Sequence, residues 1–316
     1  MSLLSALTTS ILPVLSVAGV GYLLGVFREV DVDPLATITL YVLTPALVFH
    51  SLVTTPIARG TAATLFTGVT VFTVVMAGVA EGYGRITGEG PPTLGSLVLT
   101  SAFPNAGNYG IPLSAFAFGT IGRSTAVLFI AVQSVLMYTV GVYVASRGQA
   151  GSTRDAVTKV FELPLVYAVV AAATVRAAGL VPPADATVMQ TLKLTGDSAI
   201  PVMLLLLGIQ LANTTYGTAL SRVTPAVVLK LLVAPVLAVT VAAGIGLGGD
   251  VGRVFVLECA MPAAITPLML TVEFGGDGDE LSAAEYVSTA ILVTTIGSVL
   301  TLTVLISLLQ SGSLLW

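Results

Sequence analysis

The sequence predicts an all-α integral membrane protein, and three observations carry that prediction. Hydrophobic residues fill 55% of the 316 positions and charged residues only 9%, with a mean hydropathy of +1.01. A soluble domain carries roughly 25% charged residues, so little of this chain can form one. The apolar residues gather into runs long enough to cross a bilayer, which takes about 20 residues per helix. Two of these runs are interrupted, at corresponding places, by paired prolines.

Glycine, proline and charged residues punctuate the runs and divide the chain into ten spans. Span one covers about 3–27; no basic residue precedes it, and it is too long for a signal-peptide core, so it reads as a retained helix. Arg28 and the acids Glu29, Asp31 and Asp33 separate it from span two at about 34–54. Arg59 precedes span three, 61–83, and Arg85 follows it. Span four, 92–118, ends near Arg123, where span five, 123–145, begins. The longest polar connection, 146–159, then divides the chain almost in half. Spans six, seven and eight cover 161–180, 188–212 and 222–246, with Arg176 near the end of the first and Arg222 at the start of the last. Arg253 marks the start of span nine, 252–274, and span ten covers 283–310.

Loops after odd-numbered spans hold Arg28, Arg85, Arg147, Arg154, Lys159 and Arg222; those after even-numbered spans hold Arg59, Arg123, Arg176 and Arg253. This excess of basic residues places the 146–159 loop in the cytoplasm and both termini outside a cell membrane. A net charge of −4 and a pI near 4.9 argue against a nucleic-acid partner. Cys259 is the single cysteine and His50 the single histidine, so neither a disulfide nor a zinc cluster is expected, and His50 reads as a hydrogen-bonded structural residue.

The halves correspond. Pro45 and Pro104 are 59 residues apart, and Pro201 and Pro262 are 61 apart. Span four breaks over Pro104–Pro112, and span nine over Pro262–Pro267. Matching interruptions in two halves point to a binding site at the membrane midplane. Each half, 1–145 and 161–316 about a connecting loop at 146–160, has five spans, so the second must enter from the opposite face and the repeat is inverted. Pro13, Pro45, Pro164, Pro225 and Pro235 read as simple kinks. The paired breaks do not, because a kink needs neither a second proline nor flanking Asn and Gly. Backbone groups freed there cannot be satisfied by hydrocarbon, so such segments must line a cavity or be buried in protein.

The segment Asn105-Ala-Gly-Asn-Tyr-Gly-Ile-Pro-Leu113 resembles the Asn-x-Gly-x-x-Gly-x-Pro-Leu stretch of the auxin efflux carrier family. That family includes plant PIN proteins and prokaryotic organic-anion carriers. Thr44-Pro-Ala-Leu-Val-Phe49, Ala199-Ile-Pro-Val-Met-Leu-Leu-Leu-Leu-Gly-Ile-Gln-Leu211 and Ala260-Met-Pro-Ala-Ala264 fit the same family in the expected order. The resemblance implies a two-by-five inverted repeat in which spans four and nine cross inside the membrane. It implies a scaffold of spans one, two, six and seven that forms a homodimer, and a transport domain of spans three to five and eight to ten that moves like an elevator. The long central loop of the plant hormone exporters is missing, which favours small carboxylates over auxin as the substrate.

Half-helices starting at such a crossing aim free N–H groups at its centre and favour an anion. The substrate site is therefore expected to comprise Pro104, Asn105, Asn108, Tyr109, Pro262 and Thr266, with the Asn105 amide donating to the carboxylate. Glu258 lies four residues before Pro262, on the same side of span nine. A carboxylate at this depth costs about 2.5–3.5 kcal/mol on insertion scales and is functional by default. Leu257-Glu-Cys-Ala-Met261 is also similar to a Leu-Glu-x-x-Met segment of the bile-acid sodium symporters, a related fold in which that Glu binds sodium at the crossover. On this reading Glu258, with Gln133 and Ser134 of span five, holds a coupling Na⁺ or H⁺; the competing reading pairs Glu258 with Lys230. Lys230 sits mid-span, as a substitute cation in a vacated sodium site, as a partner for Glu258, or as an attraction for the substrate. Lys193 and Asp197 are four apart and are expected to form an interfacial ion pair.

No phosphate-binding loop, zinc motif, intramembrane aspartate pair or Ser–His arrangement occurs, which counts against ATP-driven transport, a proton antiporter of paired-aspartate type, and a membrane-embedded enzyme. Two paired breaks also suit an alternating site better than a passive channel. A secondary carrier of small organic anions, needing no cofactor, is the expected function; the alternative is a sodium-coupled symporter or a cation/proton antiporter on the same fold.

Overall fold

A computed structural model describes residues 3–28, 30–55, 57–146, 164–213, 219–274 and 283–312. Arg147, Arg154 and Lys159, three of the six basic residues counted after odd-numbered spans, lie outside the described residues. Among those described, every regular element is helical, and a β-type pairing occurs as an isolated bridge between Pro104 and Ala263.

The elements in order are α1 (Leu3–Phe27), α2 (Val32–Thr54), α3 (Arg59–Ile86), α4 (Thr93–Ala102), α5 (Ala106–Ala145), α6 (Pro164–Ala177), α7 (Thr187–Ala212), α8 (Thr224–Gly244), α9 (Gly249–Cys259), α10 (Thr266–Phe274) and α11 (Ala283–Gln310). Seven helices are long and apolar enough to cross a membrane, and α4 and α6 are shorter apolar helices. Asp31 opens α2 by accepting from the N–H of Asp33, which satisfies one of the donors a helix start leaves free.

The prolines expected to kink have two outcomes. Pro164 and Pro225 stand in the first turn of α6 and α8, where the missing N–H has no partner to lose. Pro13, Pro45 and Pro235 sit inside helices that continue past them, each directly after a wide π-type turn at Leu7–Ile11, Thr39–Leu43 and Leu229–Val233. The extra residue in that turn relieves the clash between the proline ring and the preceding carbonyls.

α5 has 40 residues and would be about 60 Å long if straight, twice the hydrocarbon thickness. It is not straight. Gly119 adopts φ 62°, ψ −140°, and the Gly122 Cα abuts the Ser114 carbonyl, eight residues earlier. Those positions would be about 12 Å apart along an uninterrupted helix, so the arm after Gly119 folds back beside the first. Only glycine takes that backbone conformation without strain.

Helix α1 packs most extensively on the second half of α7, and α2 packs on α6 and on the first half of α7. A Cβ at Gly208 would overlap the Ala18 carbonyl, and one at Gly21 would overlap the Leu205 carbonyl, so bare backbone sets the α1–α7 approach. Gly25 also contacts α7, whereas Gly19 faces open space. A large apolar cluster joins α1, α3, α4, α5, α7, α8, α9, α10 and α11, with Phe72, Phe129 and Phe255 edge to face or tilted.

Lys193 and Asp197 pair at 2.6 Å as expected, but Asp197 also receives Arg123, at 2.6 Å. Arg123 therefore ties the second arm of α5 to α7 rather than marking a free loop.

Candidate functional site

Both proline-bearing runs are broken. α4 stops at Ala102, the chain runs extended through Phe103 and Pro104, and α5 starts at Ala106. α9 stops at Cys259, residues 260–265 are non-helical, and α10 starts at Thr266. The break in the first run is shorter than expected. Residues 106–110 form a wide helical turn in place of open backbone, and Pro112 sits in the first turn of the regular helix behind it. Pro267 likewise begins α10 rather than prolonging the break, because proline is well tolerated at the start of a helix.

The two interruptions lie against each other, antiparallel. The Asn105 N–H donates to the Pro262 carbonyl at 2.7 Å, and the Ala264 N–H donates to the Phe103 carbonyl at 3.0 Å. Each break thus supplies partners to the other. Side chains meet two further groups: the Gln133 Nε2 donates to the Pro104 carbonyl at 2.8 Å, beside the Ala106 N–H at 2.8 Å, and the Ala263 N–H donates to the Thr294 Oγ1 of α11 at 3.1 Å. The Gly110 N–H closes the wide turn on the Asn105 carbonyl at 2.9 Å. Backbone polar groups away from water are costly unless paired, so this mutual pairing is what permits the crossing.

Pro104, Asn105, Tyr109 and Pro262 are buried at this junction, while Asn108 and Thr266 are half-buried. The Asn105 side-chain Nδ2 is buried and has no hydrogen-bond partner among the described residues. The Tyr109 hydroxyl approaches Ser298 of α11 without the geometry of a formed hydrogen bond.

Glu258, one residue before the end of α9, is completely buried. Its Oε1 accepts a hydrogen bond from the Ser114 Oγ, and its carboxylate lies so close to Gly110 that any side chain there would overlap it. Oε2 has no partner. The acid thus faces the first turns of α5, the end of a helix that favours negative charge.

Gln133 gives its Nε2 to the Pro104 carbonyl, which the Ala106 N–H also reaches, while its buried Oε1 has no partner among the described residues. Ser134, half-buried, leaves the helix about 100° further round than Gln133. One expectation is corrected here: the ion pair between Glu258 and Lys230 is missing from the described residues. Lys230 is fully buried on α8, but its Nζ donates to the Cys259 carbonyl at 3.2 Å and the Ser101 carbonyl at 3.4 Å.

The sequence model of the family described as Membrane transport protein matches residues 6–159 and 154–306 of the chain. The chain belongs to that family. This is the auxin efflux carrier family, which the Asn105–Leu113 segment resembles. The chain is also 25% identical, over 286 residues, to an uncharacterized transporter of Methanothermobacter thermautotrophicus. The alignment covers 89% of this chain and 93% of that relative. With its apolar helices, the protein is therefore a multi-pass membrane protein of a transporter family.

Ser114 and Thr294 were not singled out from the sequence, although one holds Glu258 and the other holds the second break. Both are hydroxyl residues in apolar helices rich in Ser and Thr, most of which bond only to their own helix, as Thr100 does to the Ser96 carbonyl. Nothing local distinguishes them, or Ser124, whose Oγ reaches the Ser51 carbonyl of α2 at 3.1 Å.

Proposed function

We propose that this protein is a secondary active transporter of small organic anions, with a substrate carboxylate bound where the breaks of α4–α5 and α9–α10 meet. The observation that carries the reading is the Asn105 amide: a buried donor without a partner, beside backbone held open by Pro104 and Pro262. A neutral amide can bind a carboxylate without the fixed charge that would slow its release. Asn108, Tyr109 and Thr266 complete the wall of the site.

In this reading the chain forms two inverted five-span repeats, with the two arms of α5 counted as separate crossings. The close packing of α1 and α2 on α6 and α7 supports a scaffold made of those helices, through which a homodimer would form. The remaining helices would move past it as an elevator, with both termini outside the cell membrane. Glu258 would carry the coupling ion, H⁺ or Na⁺, because its Oε2 is a buried acceptor still open to one.

The test is uptake by the purified protein in liposomes, with a panel of mono- and dicarboxylates under imposed Na⁺ and H⁺ gradients. At least one carboxylate should accumulate and should raise the melting temperature by mass action. If no carboxylate does either, the reading fails. A second reading, a sodium symporter or cation/proton antiporter on the same architecture, draws on the same buried acid. It would be favoured if ion movement across the liposome membrane proceeded without any anion.

A further inference from the structure

Lys230 is completely buried, and its Nζ faces backbone carbonyls, not a carboxylate, among the described residues. The carbonyls it meets are those of Cys259, the last residue of α9, and Ser101, one residue before the end of α4. Each belongs to a final turn whose helical donors the breaks remove. Two helix C-termini, each carrying roughly half a negative charge, converge on one Nζ. The third side of that ammonium lies over the Phe72 ring, 5.9 Å from its centroid. Glu258 is turned the other way, towards Ser114 and Gly110.

We propose that Lys230 is a built-in cation: its ammonium fills, between the C-terminal ends of α4 and α9, a place that would otherwise take a free alkali-metal ion. Carbonyl oxygens gathered from two interrupted helices are the donor set a hard cation prefers. A lysine has three donors and no acceptor, so it satisfies such a set without an ion being captured or lost. It follows that the crossing carries no sodium requirement at this end, and any ion coupling falls to Glu258 alone. This last consequence rests on the transport reading; the occupancy of the site by lysine does not.

The test reads stability instead of transport, so the two can fail separately. Melting temperatures of the wild type, Lys230→Ala and Lys230→Met are compared in choline chloride, sodium chloride and n-propylammonium chloride at equal ionic strength. Lys230→Ala should melt about 5 °C or more below the wild type in choline. It should recover progressively with sodium or propylammonium concentration, as a site filled by mass action does. Lys230→Met, which fills the space with an apolar chain, should be lowered and should not recover. Where Lys230→Ala gives no folded protein in choline, the yield of monodisperse protein purified in each salt is compared instead. A loss equal in all three salts overturns the proposal, as does a Lys230→Met variant as stable as the wild type. So does a saturable sodium-specific stabilisation that survives in Glu258→Gln with Lys230 intact.

Discussion

The Asn105 N–H and the Pro262 carbonyl, 2.7 Å apart, join the two interrupted helices at the point where each lacks internal partners. The bond uses Asn105 through its backbone and leaves its side-chain amide buried and unbonded. The two roles of this residue are therefore separable by mutation. Asn105→Ala keeps the backbone bond and removes only the amide. Uptake of the transported carboxylate should fall at least tenfold while the melting temperature stays within about 2 °C, since a surplus donor holds nothing together. Uptake at wild-type rates would remove Asn105 from the site.

Gly110 is fixed by the acid beside it. A Cβ there would overlap the Glu258 carboxylate, which has no room to withdraw because the residue is fully buried. Gly110→Ala should destabilise the protein by about 1–3 kcal/mol, the usual range for overpacking. Combining it with Glu258→Ala should restore part of that loss, because the shortened side chain vacates the contested space. A double-mutant cycle on thermal or denaturant unfolding measures the coupling; purely additive effects would show that the two residues do not compete.

Composition, the length of the apolar runs and the two proline pairs made the helical membrane class and the position of both breaks readable from the residues. Proline and glycine act locally, so their consequences appear at their own positions. The partners of the freed groups were not readable in the same way. Gln133, Ser114, Thr294 and Lys230 come from other helices, and their choice depends on how those helices pack. Nothing in the run around Gln133 announces that its Nε2 serves the Pro104 carbonyl. Arg123 looked like a loop charge because a turn at Gly119 divides two apolar runs, but the reversed arm brings it to Asp197.

Glu258→Gln keeps the shape of the side chain and an oxygen able to accept from Ser114, but it cannot exchange a proton or present a full charge to a cation. If Glu258 couples transport, the variant should still bind and exchange the carboxylate across the membrane. Uptake should no longer respond to an imposed H⁺ or Na⁺ gradient. Gradient-driven accumulation equal to that of the wild type would place the coupling elsewhere.

Pro262 lets its chain stay open in two ways: it has no N–H to return to α9, and its ring opposes a helical conformation in the residue before it. Pro262→Ala restores a donor that can reach the Glu258 carbonyl, currently taken by the Met261 N–H at 3.2 Å. Helix α9 can then lengthen by one residue or more, up to the block that Pro267 still imposes. Each added residue turns the Pro262 carbonyl away from Asn105 and draws the Ala264 N–H off Phe103, undoing the pairing of the two breaks. Transport should fall at least tenfold although helix content is equal or slightly higher, a combination that uptake assays and far-ultraviolet circular dichroism detect together. Unchanged uptake would mean that the open segment at Pro262 contributes packing alone, and that α4–α5 carries the site without it.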